Sequence, residues 1–198
     1  QGNWAGVNRP FRCNLTNQRP DGQKDIRLNV TWDIQEKALK GDLLLDDCNL
    51  NLLSLVAKDH LSSEGSVNAK LQFNGSVTQP EVRGTLHFNN AAFRLKRFNT
   101  QIVTNDTLML ERKAIVFNEF QARDKNNNPL KINGTIAIAD ITRPIFDLSV
   151  QTQKFCALQT QASEELFYGQ LWVSSNTRVK GLLANLQIAT SLRTEAGT

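Results

Sequence analysis

The feature that most constrains the fold of this chain is a two-residue alternation of apolar and polar side chains. Over residues 26–34 every second residue is Ile, Leu, Val or Trp, and the residues between them are Arg, Asn, Thr and Asp. Successive side chains of a β-strand point to opposite faces of a sheet, so this pattern predicts a strand with one apolar and one polar face.

The same alternation recurs along most of the chain and predicts about ten or more short strands. It is found over 67–73, 82–88, 108–110, 115–117, 130–138, 146–150 and 167–173, and then at 179 and over 186–188. Turn-forming residues separate these stretches at 105–106, 125–129 and 140–144. No shift in composition marks a linker, so we expect one all-β unit spanning residues 1–198.

Two stretches depart from the alternation. Leucines in the stretch 50–61 have a spacing that fits a helical turn, which predicts one short helix there. Residues 1–20 lack a clear period and are expected to be a loop leading into an edge strand, and residues 1–25 as a whole receive no firm assignment.

A sheet with one apolar face must cover that face, by closing into a barrel, by stacking as a sandwich or by holding something apolar. Alternation alone does not choose between a closed core and an open groove. If the face is a groove, its candidate lining residues are Leu71, Phe73, Val82, Leu86, Phe88, Leu108, Leu110, Ile136, Ile138, Leu148, Val150, Leu171 and Val173.

Charge and motif content argue against an enzyme and against nucleic-acid binding. The net charge is +4, and the basic residues are neither in blocks nor clustered with aromatic residues. The only histidines are His60, in a turn region, and His87, on a polar strand face, and no catalytic motif accompanies them. We therefore predict no catalytic residue and no cofactor.

The three cysteines, Cys13, Cys48 and Cys156, are too far apart in sequence to suggest a metal site. Buried thiols are the expected state, although one disulfide is compatible with an oxidising compartment. No run of about 18 apolar residues is present, so we expect neither a membrane-spanning helix nor a signal peptide in this stretch. Any anchor would then lie outside it.

Several short motifs follow one another in an order that is similar to a known family. After the leucine-rich stretch 48–56 comes a strand bounded by Gly65 and Gly75, and 80–86 reads P-x-V-x-G-x-L. The stretches 98–135 and 146–169 continue the succession. From Leu43 onward, over about three quarters of the chain, the sequence resembles the C-terminal part of TamB-type proteins of the AsmA-like group.

The resemblance implies a long curved sheet folded like a taco or half-pipe, with an apolar interior. It implies a periplasmic protein anchored in the inner membrane, which moves phospholipid between the two membranes by binding the acyl chains. The alternative that it implies is a scaffold for outer-membrane protein assembly with a BamA-like barrel partner. That partner is expected to engage a segment beyond Thr198. Exposed strand edges also lead us to expect that this chain dimerises.

Overall fold

The alternating stretches form the strands of one sheet. The computed structural model describes residues 2–3, 10–17, 26–51, 61–76, 79–140, 142–160 and 169–197. The strands are β1 (Gly2–Asn3), β2 (Phe11–Asn17), β3 (Ile26–Asp33), β4 (Ala38–Asn49), β5 (Leu61–Gly75), β6 (Pro80–Leu95), β7 (Thr100–Thr104), β8 (Thr107–Glu111), β9 (Ala114–Arg123), β10 (Pro129–Ala137), β11 (Ile145–Thr160), β12 (Gly169–Leu182) and β13 (Asn185–Gly197).

All thirteen strands pair antiparallel in a single sheet, and nearly all of them lie beside their neighbours in sequence. The short strands β7 and β8 share one place between β6 and β9, because β7 pairs with one half of β6 and β8 with the other. A 3-10 turn, Lys96–Phe98, joins β6 to β7. The all-β sheet predicted from the alternation is therefore confirmed.

Four strands carry a β-bulge of the same design. In each, a non-glycine residue with positive φ is followed by a buried residue. The amide of the positive-φ residue donates a hydrogen bond to a side-chain oxygen on the neighbouring strand or, for Asn105, in the break between β7 and β8. For example, Glu119 has φ 53° and donates to Asn133 Oδ1 at 2.7 Å, and Phe120 after it is buried. The four sites are Asp47 with Asn68, Asn90 with Asn105, Glu119 with Asn133, and Lys154 with Ser174. Bulges bend a strand and increase its twist, so four of them curve the sheet.

The buried residues lie at one end of the sheet, which we call the filled end. They include Cys48, Val67, Ala91, Phe120 and Phe155, which follow or face the bulges. Two apolar clusters form there and share Phe88. At the other end, which we call the open end, the apolar residues of the same face are only half-buried.

Strand β11 bends over the tip of the β9–β10 hairpin at the filled end. Strands β7 and β11 are three places apart in the sheet, about 14 Å if it were flat. Nevertheless Thr100 Oγ1 donates to Ala157 O at 2.7 Å, and Asn99 Nδ2 donates to Gln159 O at 2.8 Å. The sheet is therefore strongly curved at this end.

The structure differs from two local predictions, and a third prediction lies largely outside the described residues. The loop expected over residues 1–20 is wrong for 11–17, because apolar residues alternate there too and pair with β3 as strand β2. The turn predicted at 105–106 is instead a break between β7 and β8, facing the bulge of β6. The predicted helix at 50–61 lies largely in residues 52–60, outside the described residues.

Within the described ranges, no helix has the length and apolarity needed to cross a membrane.

Candidate functional site

An unbroken row of apolar residues and glycines crosses the sheet from strand to strand. Paired residues in neighbouring strands share a face, so the strand register defines this row directly. We call it the central row. It consists of Leu15, Leu28, Leu43, Leu71, Gly84, Leu110, Ile115, Ile136, Phe146, Gly181 and Leu186. We call the face that carries this row and both buried clusters the inner face.

The glycines of the central row let the strands approach closely. Gly84 has φ +139°, and a Cβ there would lie 1.9 Å from the carbonyl oxygen of Lys70 on β5. A larger residue would push these strands apart, so this position requires glycine.

Twelve of the thirteen candidate lining residues lie on the inner face according to the strand register. Phe73 pairs with Val82, and Leu86 pairs with Leu108. Ile138 follows the end of β10, where its amide donates to Lys113 O at 2.6 Å, so the register does not place its side chain. Val173 is buried, whereas the other twelve candidates are half-buried.

The inner face also contains residues that the candidate list missed. The central row adds Leu43, Ile115 and Phe146, and the filled end adds Phe120 and Phe155. The bulges hide these phenylalanines from a two-residue pattern, because Phe117 and Phe120 share a face at a spacing of three. An apolar pair at that spacing, next to an alternating stretch, is the signal that would have found Phe120.

The two faces differ sharply in polarity. Among the described strand positions, the register places no Asp, Glu, Lys or Arg on the inner face. The outer face carries exposed ion pairs, such as Arg178 Nη2 with Asp147 Oδ1 at 2.7 Å. His87 lies on the outer face as predicted, with its Nδ1 atom 2.8 Å from Thr107 Oγ1.

The inner face is least covered at the two margins of the sheet. On β2 and β3, Leu15 and Trp32 are 54% and 42% exposed, and on β13, Ile188 and Leu192 are 64% and 56% exposed. These four residues share the face of the central row. Large apolar surface that stays exposed on a protein commonly marks a binding site.

One buried carboxylate stabilises the filled end. Asp124, 2% exposed, closes the β9–β10 turn and accepts hydrogen bonds from the amides of Asn126, Asn128 and Cys156 and from Asn128 Nδ2. Burial alone would raise the pKa of Asp124, but these hydrogen bonds outweigh it, and the pKa lies below its ordinary value. The carboxylate therefore attaches the hairpin tip to β11.

No disulfide joins Cys13, Cys48 and Cys156, all of which lie in the described part of the chain. Cys48 and Cys156 are buried, as predicted, while Cys13 is half-buried. Burial raises the pKa of the Cys156 thiol, and the nearby Asp124 carboxylate raises it further. Cys156 is thus a packing residue rather than a reactive thiol.

The comparisons with known proteins address the C-terminal part of the chain. Residues 117–198 match the family model described as the TamB C-terminal domain, from within β9 through β13. Neither the curated proteins nor the solved structures gave a significant match. TamB-type domains are transport and assembly modules of the Gram-negative envelope and are not known enzymes. The C-terminal part of the chain, residues 117–198, is therefore similar to the TamB C-terminal domain.

Proposed function

We propose that the inner face is a segment of a lipid conduit, which binds phospholipid acyl chains and moves phospholipid between the inner and outer membranes. The observation that carries this proposal is the central row. It continues from strand to strand across the sheet, and its apolar members are half-buried apart from Leu15, which is exposed.

The energetics favour an acyl chain over water on this surface. Each methylene group removed from water contributes about 0.8 kcal/mol. The row has no charged member, so an acyl chain can lie along it without removing a charge from water. A continuous apolar row offers no single preferred position, which suits movement along it more than tight retention at one site.

The family supports a setting in the periplasm. In this proposal the longer protein is anchored in the inner membrane, and the present chain supplies part of the conduit between the two membranes. Phospholipid is the substrate, and no chemical bond is made or broken.

Lipid loading of matched variants tests the proposal. Ile136, in the central row, and Thr135, exposed on the outer face, are neighbours in β10. We expect the purified wild-type chain to retain phospholipid in native mass spectrometry, and Ile136→Arg to lose it while remaining folded. Thr135→Arg adds the same charge to the other face and should retain lipid.

The result that contradicts the proposal is a wild-type chain without lipid whose Ile136→Arg variant unfolds. An unfolded variant would mean that the central row is a closed core, because a buried unpaired charge is strongly destabilising.

One observation favours a second function, a scaffold for outer-membrane protein assembly with a BamA-like barrel partner. Strand β13 is thirteen residues long and, among the described strands, pairs only with β12. A long unpaired edge can add a strand from another protein. Photocrosslinkers distinguish the functions, because a conduit should capture lipid at Leu110 and a scaffold should capture protein at outward positions of β13.

A further inference from the structure

A chain of hydroxyl groups interrupts the apolar inner face on its last strands. Thr152 Oγ1 lies 2.9 Å from Ser175 Oγ, and Thr177 Oγ1 lies 3.5 Å from Ser175 Oγ and 2.8 Å from Thr190 Oγ1. The register places all four residues on the inner face of β11, β12 and β13. We call this group the hydroxyl chain.

The hydroxyl chain differs from the other inner-face hydroxyls. At the filled end, Ser63, Thr100 and Thr104 are buried, and each donates to a backbone carbonyl at 2.7 Å. The members of the hydroxyl chain bond mainly to one another, and its last member, Thr190, is exposed.

The four hydroxyl groups can form more hydrogen bonds than the ones that join them to one another. Each hydroxyl has one proton to donate and two lone pairs to accept with. If Thr152 donates to Val173 O at 3.4 Å and the other protons point along the chain, Thr190 keeps free lone pairs. If Thr177 instead donates its proton to Thr190, which the 2.8 Å contact allows, Thr190 has a free proton. The exposed end of the chain can therefore donate to a ligand oxygen or accept from a ligand N–H.

One cross-strand row changes from polar to apolar along its length. It runs from Thr190 to Thr177, Val150, Ile132 and Phe120. Its four strand spacings of ~4.8 Å cover ~19 Å along the sheet. The hydrocarbon of one bilayer leaflet is about half of ~30 Å thick. The row thus has the polarity and the length of one phospholipid, with its polar end at Thr190.

We infer that the hydroxyl chain binds the glycerol-ester and phosphate oxygens of a phospholipid whose acyl chains extend from it over the half-buried Val150 and Ile132. This inference rests on the proposed lipid function and adds an orientation to it. The lipid lies along the cross-strand rows with its polar end at the β12–β13 margin. The hydroxyl chain then favours phospholipid over a hydrocarbon of similar length.

Two probes loaded onto the same chain test this inference. One is palmitoyl-oleoyl phosphatidylglycerol, transferred from vesicles, and the other is diphenylhexatriene, an apolar fluorophore without hydrogen-bonding groups. In the double variant Thr177→Val, Thr190→Val we expect the affinity for phospholipid to fall about tenfold, because two ordinary hydrogen bonds are lost. The affinity for diphenylhexatriene should be unchanged.

Two controls make the result specific. The variant Thr177→Ser, Thr190→Ser keeps both hydroxyls and should bind phospholipid like the wild type. Thr135→Val makes the same substitution on the exposed outer face of β10 and should also have no effect. A melting curve of each variant shows whether it is folded.

The outcomes separate this inference from the function on which it rests. Undiminished phospholipid binding by the folded double valine variant overturns the hydroxyl site alone, and so does an equal loss for both probes. A wild-type chain that binds no phospholipid overturns the conduit and this site with it.

Discussion

The filled end and the open end of the sheet have the same alternating sequence pattern but bury it to different extents. At the filled end Phe120 and Leu130 are 7% and 8% exposed, and rings from β6 and β9 meet edge to face. At the open end, Leu110 and Ile136, both members of the central row, are only half-buried. What differs is the backbone, because the bulges and the bent β11 lie at the filled end.

This difference indicates that the two ends of the sheet have different roles. The filled end supplies a small core, and a core is what gives a sheet its stability. The open end presents the same kinds of residue to a ligand.

The largest expected effect is on the core. Phe120→Ala should lower the free energy of unfolding by about 3–5 kcal/mol, because it removes a buried ring that contacts Phe88 and Phe117. Phe73→Ala at the open end should cost only about 1 kcal/mol, because Phe73 is half-buried. Urea denaturation measures both. Equal losses would mean that the two ends do not differ.

The second effect concerns the carboxylate at the hairpin tip. Asp124→Ala should cost about 2–3 kcal/mol, because the buried amide of Cys156 and the amides of Asn126 and Asn128 lose their acceptor. Asp124→Asn keeps one oxygen and should cost less. Urea denaturation of both variants shows whether Asp124 attaches β11 to the hairpin, and an Asp124→Ala variant as stable as wild type would show that it does not.

The pKa shift of Asp124 adds a pH dependence with a definite sign. Its folded pKa is below the ordinary 3.8, so the folded state binds fewer protons than the unfolded state. The stabilisation by the carboxylate is therefore complete above about pH 4 and is lost as the pH falls through the folded pKa. Unfolding curves between neutral and acidic pH should show this loss in the wild type and lack it in Asp124→Asn.

The sequence predicts the strands and their apolar face well, but not the difference between the ends. Alternation identifies residues such as Leu71 and Leu110, because exposed and half-buried strands follow a two-residue period. It does not predict which end is filled. That depends on Glu119 and the other positive-φ residues, where the period becomes three, and on contacts between distant residues, such as Thr100 with Ala157.

A smaller effect is expected where a bulge turns a core residue inward. Asn133→Ala removes the oxygen that accepts from the Glu119 amide, and it should cost about 1 kcal/mol. Hydrogen exchange at the Glu119 amide should become faster. Asn133→Asp keeps the acceptor and serves as the control. Unchanged exchange in Asn133→Ala would show that the side chain does not hold the bulge.

The smallest effect is expected on the outer face of the open end. Asp147 lies 2.7 Å from Arg178 Nη2 and 3.7 Å from Lys180 Nζ, and all three side chains are about half exposed. Exposed ion pairs contribute little, so Asp147→Asn should change the free energy of unfolding by less than about 1 kcal/mol, and added salt should reduce the change. Urea midpoints at low and high salt measure this. A larger loss that salt does not reduce would mean that the outer-face contacts of Asp147 hold the open end rigid. The partial burial of the inner-face residues at that end could then not be explained by the lack of a core alone.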